Sequence, residues 1–76
     1  MKVWVLTESY DTQGEGMSDP TPIGVFATWR GAESSLPEVH FYVHNYDGDV
    51  IGLSGHQESV GASNLEYDIS PYELGE

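Results

Sequence analysis

Cysteine is absent from this 76-residue chain, and cations are almost absent: two Lys or Arg residues stand against 13 Asp or Glu. The first absence excludes disulfides, zinc–thiolate staples and thiol catalysis. The second sets a formal charge of −11 and allows side chains to neutralise about two phosphates at most. Direct DNA or RNA binding needs several such contacts, and an anionic membrane surface needs a basic patch. Both are excluded on charge. Long apolar runs are missing too: Val3-Trp4-Val5-Leu6 is too short for a signal-peptide core, and nothing approaches the ~20 residues of a membrane helix. A cytoplasmic location is the default expectation.

The length fits one domain spanning residues 1–76. A domain this small buries only about 60–65 % of its unfolded surface, so its core must be thin. Acidity beyond the magnitude of roughly 2–8 usual for small domains has a plain reading, high solubility with self-repulsion. It also has a sharper one, a surface that attracts a basic partner.

Apolar residues alternate with period two along much of the chain, the signature of strands. Residues 3–10 form the first, apolar on both faces at its start. Residues 11–22 (DTQGEGMSDPTP) read as a long loop, and residues 23–27 as a second strand. Thr28 can cap a short helix with the stripe Trp29, Ala32 and Leu36, stopped by Pro37. Residues 38–46 are the clearest strand: Val39, Phe41 and Val43 alternate with His40, Tyr42, His44 and Tyr46. Asp47-Gly48 suits a type I′ hairpin turn, and residues 50–53 return from it. Residues 54–64 read as a second loop, and Leu65, Tyr67 and Ile69 mark a last strand. Ser70-Pro71-Tyr72-Glu73 has capping-box spacing, so the tail either turns once or continues extended.

The expected class is α+β: a small antiparallel sheet of four to five strands with one short helix on one face. One helix cannot cover two faces. If Val39, Phe41 and Val43 meet it, the face of His40, Tyr42, His44 and Tyr46 is left to solvent or to a partner.

Lys2-Val3-Trp4-Val5-Leu6, Ile23-Gly24-Val25-Phe26-Ala27-Thr28 with Ala32-Glu33, and Tyr67-Asp68-Ile69 with Tyr72-Glu73-Leu74 resemble a family of small uncharacterised bacterial and phage proteins. The resemblance covers both ends of the chain. Residues 36–64 depart from it, because Pro37 cuts the helix short and the Asp47-Gly48 hairpin is extra. It implies the sheet and a phage or mobile-element setting, and it carries over no catalytic residue.

Motifs for chemistry fail one by one. His40 and His44 lie about 13 Å apart on a strand and cannot share an ion. His56 with Glu58 matches the H-x-E of zinc deaminases but lacks the cysteines. Asn45-Tyr46-Asp47-Gly48-Asp49 misses the anchoring acids of a calcium loop, which would fall on Val43 and Ser54. Gly14 and Gly16 sit among acids without a lysine and cannot cradle phosphate. Neither an enzyme nor a cofactor is expected.

Surface residues remain. Tyr42 and Tyr46, joined by Tyr10, Trp4 and Tyr72, are of the type that anchors interfaces. Glu8, Glu38, Asp47, Asp49, Glu66 and Asp68 surround them. Glu38, Tyr42, Tyr46, Asp47, Asp49, Glu66 and Asp68 are therefore the expected partner-binding set. The expected function is a non-enzymatic module that binds a basic protein surface, similar in size and acidity to anti-CRISPR and other anti-defence inhibitors that occupy nucleic-acid grooves. The alternative is a small accessory protein that homodimerises through the uncovered sheet face.

With −11 on so small a body, salt should stabilise the fold, because the Debye length falls from ~10 Å at 0.1 M to ~3 Å at 1 M. The melting temperature is expected to rise with sodium chloride over that range. A flat or falling curve in differential scanning calorimetry would show that the acids are paired or too dispersed to repel.

Overall fold

Strand alternation carries through to the architecture. The computed structural model describes residues 1–12, 16–17, 19–58 and 64–75. In chain order these form β1 (Lys2–Thr12), β2 (Gly16–Met17), β3 (Thr21–Phe26), α1 (Trp29–Ser34), β4 (His40–Tyr46), β5 (Asp49–Glu58) and β6 (Asn64–Glu73). Five strands make one antiparallel sheet in the order β3-β1-β6-β5-β4, and the two-residue β2 pairs with the end of β1. The expected sheet and single helix are both present. The α+β label overstates the helix: the chain is mostly strand.

The first and last strands lie side by side at the centre, in register from Lys2↔Glu73 to Tyr10↔Leu65. Trp4 and Leu6 of β1 share one face with Tyr67 and Ile69 of β6, while Val3 and Val5 point to the other. Val43, Leu53, Ile69, Leu6 and Gly24 form one row across all five strands. Leu53 and Ile69 are the largest fully buried side chains of the core, which also takes in Trp4, Phe41, Tyr67, Val39 and Ala32. Each such aliphatic side chain contributes about 1.5–3 kcal/mol by leaving water.

The helix lies on this face against β1, β3 and β6. Thr28 stays extended, and its Oγ1 accepts from the Gly31 N–H at 3.0 Å, so the expected cap is in place. Ala32 points into the core, with Trp29 and Leu36 packed beside it. At the far end the Ser35 N–H turns back to the Ala32 carbonyl at 3.2 Å, and Pro37 follows. The segment after the helix then drops Val39 onto the sheet beside Phe41.

Two expected loops are largely strand where they are described, and the tail takes the extended one of its two expected paths. Asp11 and Thr12 extend β1 by pairing with Met17 and Gly16, and Thr21 and Pro22 open β3, so of the described residues in 11–22 only Asp19 and Pro20 lie outside strands. Residues 13–15 and 18 lie outside the described residues. Pro22 is tolerated because β3 is an edge strand, next to a register shift at Leu6/Thr7. The described part of the 54–64 loop is also strand: β5 runs to Glu58, held between β4 and β6, and Asn64 opens β6, while residues 59–63 lie outside the described residues. Gly55 explains the misreading. A Cβ there would stand 2.7 Å from Val39 Cγ1 and 2.8 Å from Phe41 Cδ1, so this glycine marks a close approach, not a turn. The tail continues extended and makes no capping-box turn: Tyr72 and Glu73 pair with Val3 and Lys2, and the Leu74 N–H donates to the Met1 carbonyl at 2.8 Å.

The Asp47-Gly48 hairpin matches expectation, with φ of 52° and 84°. Next to it a bulge sets Asn45 against Val50 and leaves Ile51 extra on β5. That extra residue returns Val50 to the core side while Ile51 stays exposed.

Gly48→Val is expected to cost about 1 kcal/mol or more through its positive φ, and Gly55→Ala about 1–3 kcal/mol through overpacking. Gly75→Ala, with nothing within 4 Å, should be neutral. Equal urea midpoints for the three variants would contradict both assignments.

Candidate functional site: the uncovered sheet face

Opposite the helix, side chains of the same strands form a second surface. Two rows cross it. One runs Tyr42, Ser54, Asp68, Thr7 and the next His40, His56, Glu66, Ser9, each reading from β4 through β5 and β6 to β1. Glu66 and Asp68 alternate with half-buried Leu65 and buried Tyr67 and Ile69, so both carboxylates point outward from the central part of the sheet. Ser54 is small and stands between Tyr42 and Asp68. A groove of about 250 Å³ results, lined by Tyr42, Ser54, His56, Glu66 and Asp68 over the Gly55–Tyr67 pair.

Local contacts fix its walls. His40 meets Tyr42 edge to face, with ring centres 4.8 Å apart. His44 Nε2 and Ser54 Oγ are hydrogen-bonded at 2.8 Å. Thr7 Oγ1 donates to the Asp68 carbonyl at 3.4 Å. Tyr42 and Tyr46 are nonetheless 62 % and 73 % exposed, which leaves their rings available to a partner.

Neither cation lies on this face. Lys2 Nζ sits 5.5 Å from the centre of the Trp4 ring, on the covered side, and Arg30 lies over the Trp29 ring of the helix. Among the described residues the one ion pair joins the Met1 amino group to Glu73 at 3.7 Å, and both groups are well exposed. The carboxylates of Glu66 and Asp68 therefore have no cation beside them.

The expected binding set divides. Tyr42, Glu66 and Asp68 share the groove. Tyr46 lies on the same face toward the hairpin, opposite Asp49, with Asp47 in the turn itself. Glu38 stands apart: it precedes β4, and its charge acts on Tyr67. Trp4, expected at the surface, belongs to the core because both neighbouring strands and the helix cover it. Glu8 also leaves the expected ring, since it accepts a hydrogen bond from the Tyr67 hydroxyl. Ser54 and His56 were missed, although they alternate with buried Gly55 and half-buried Gln57 in strand fashion. His40 faces His56 and not His44, and no group of three metal-ligating side chains occurs among the described residues. A larger hollow of about 430 Å³ below the helix exit is lined by none of the expected site residues.

No described helix is long and apolar enough to cross a membrane. Comparison with protein families, curated proteins and solved structures finds no match for this chain.

Tyr67, under the groove, titrates abnormally. Burial first, then the hydrogen bond to Glu8 and the charges of Glu8 and Glu38, push its hydroxyl up from 10.0 to about 12. A raised folded value means that the stabilising neutral form is fully present below pH 10.0 and lost as pH climbs toward about 12. Stability should therefore fall across that window, and Tyr67→Phe should flatten the fall. An identical alkaline profile in the variant would contradict the contact.

Proposed function

We propose that this chain is a non-enzymatic acidic binding module that occupies a basic surface on a nucleic-acid-binding protein or complex. The observation that carries the reading is the groove in which Tyr42 of β4 and Glu66 and Asp68 of β6 converge with no cation beside them. Glu66 and Asp68, two residues apart on one strand face, repeat at about 6.7 Å and present a short row of negative charge. Tyr42 offers a wall against which a lysine stem or an arginine plane can lie. Tyr46, Asp47 and Asp49 extend the same acidic and aromatic surface toward the hairpin.

A partner groove built to hold phosphates would meet this surface with complementary charge. The size, the acid excess and the resemblance at both chain ends favour a phage-type inhibitor, of the anti-CRISPR or anti-defence kind, acting in the host cytoplasm. Binding of this kind weakens as salt is raised.

Glu66→Lys with Asp68→Lys moves the net charge from −11 by four, to −7. Both positions are exposed, so the native circular-dichroism spectrum should persist. Capture of basic nucleic-acid-binding proteins from host lysate, competed by added polynucleotide, should be abolished, since each desolvated charge pair lost costs about 2–5 kcal/mol. Tyr42→Ala should weaken it too. Unchanged capture by both variants would place the binding surface elsewhere.

A further inference from the structure

What covers a strand edge can be read from backbone chemistry, because unpaired N–H and C=O groups in a row are complementary to another strand. The sheet has two edges, β3 and β4. Natural edges are guarded by charge, proline or irregularity. β3 carries Pro22 and pairs with β1 through a register shift. β4 reads His-Phe-Tyr-Val-His-Asn-Tyr, without an acid, a cation or a proline. The bulge between β4 and β5 places its extra residue, Ile51, on β5, so β4 itself stays regular. No strand pairs with its outer side among the described residues.

In a chain of charge −11 such an edge has a consequence. A second copy approaching along the outward row of Glu66 and Asp68 sets acid against acid, whereas β4 itself carries none, its nearest acids being Glu38 and Asp47 beyond its two ends. We propose that two copies join through β4, antiparallel about a twofold axis at Val43, into one continuous sheet. The sequence is self-complementary in this register. Val43 lies opposite its counterpart, Tyr42 opposite His44 of the second copy, and His40 opposite Tyr46 of the second copy. Aromatic cross-strand pairs of this type stabilise a sheet. Residue pairs in this register keep the same face, so His40, Tyr42, His44 and Tyr46 of both copies stay on one side. The two uncovered faces then form a single surface with two grooves. This differs from a face-to-face dimer, which would hide those grooves, and it does not rest on the proposed function.

Sedimentation equilibrium from micromolar to millimolar concentration tests it. The mass should rise from 8.4 kDa toward twice that value, and further at high salt, where repulsion between the copies is screened. Alternate amides of β4 should gain hydrogen-exchange protection as concentration rises. Val43 is 37 % exposed, so Val43→Lys should keep the circular-dichroism spectrum while setting two ammonium groups opposite each other at the axis. Its dimer dissociation constant should rise by about tenfold or more. Val25→Lys, on the exposed β3 edge, should leave the mass unchanged. A mass of 8.4 kDa at every concentration and salt, unprotected β4 amides, a dimer that survives Val43→Lys, or one lost equally in Val25→Lys would each overturn the proposal.

Discussion

One short helix has to serve a five-stranded sheet, and most of the molecule follows from that mismatch. Six helical residues are about 9 Å long, whereas five strands spaced about 4.8 Å apart make a sheet about 19 Å wide. The helix reaches β1, β3 and β6 on one face only. Leu36 and Val39, carried by the chain behind it, complete that face over β4 and β5. Val39 can seat there because Gly55 has no side chain in its way. On the other face the β4–β5–β6 part carries residues compatible with water, Tyr42, Ser54, His56, Glu66 and Asp68, whereas at β1 the same face holds buried Val3 and half-buried Val5.

The two side-chain cations both fall on the covered side of the sheet. Lys2 and Arg30 lie over tryptophan rings on the helix side, while Glu66 and Asp68 stand outward on the central strand β6. Few opposite charges are available to tie the acids down, so they contribute field and little cohesion. Cohesion comes from the buried Leu6, Leu53 and Ile69 at the middle of the sheet and from the backbone ladder between the first and last strands. A surface change at Glu66 or Asp68 can therefore alter binding without touching what holds the sheet together.

The residues that declared themselves in the sequence were those with a single physical meaning. Although Glu38 and Val39 lie just before the strand expected to include them, alternating Phe41 and Val43, the Asp47-Gly48 pair with two positive φ values, and Thr28 ahead of a short apolar stripe all stand as read. Gly55 and Ser54 did not, because small residues serve both loops and tight strand packing and only the neighbours decide which. Pro71 allowed both a turn and an extended edge, and takes the extended edge. It stands two residues beyond Ile69, the last β6 residue paired with β5, where the strand is an edge and tolerates proline. Strand order was not legible, so Ser54 and His56 could not be placed between Tyr42 and the acids of β6. The outward positions of Glu66 and Asp68 were legible, since they follow from alternation with Tyr67 and Ile69 alone.

The central claim is that the uncovered face recognises cationic protein surface through the β4–β5–β6 groove. Amide chemical-shift mapping during titration with a short polyarginine peptide at physiological salt tests it most directly. The account predicts that the largest shifts cluster at Tyr42, Ser54, His56, Glu66 and Asp68 and fade as salt is raised. Shifts confined to the Asp47–Asp49 turn and Glu38, or spread evenly over all exposed acids, would contradict it.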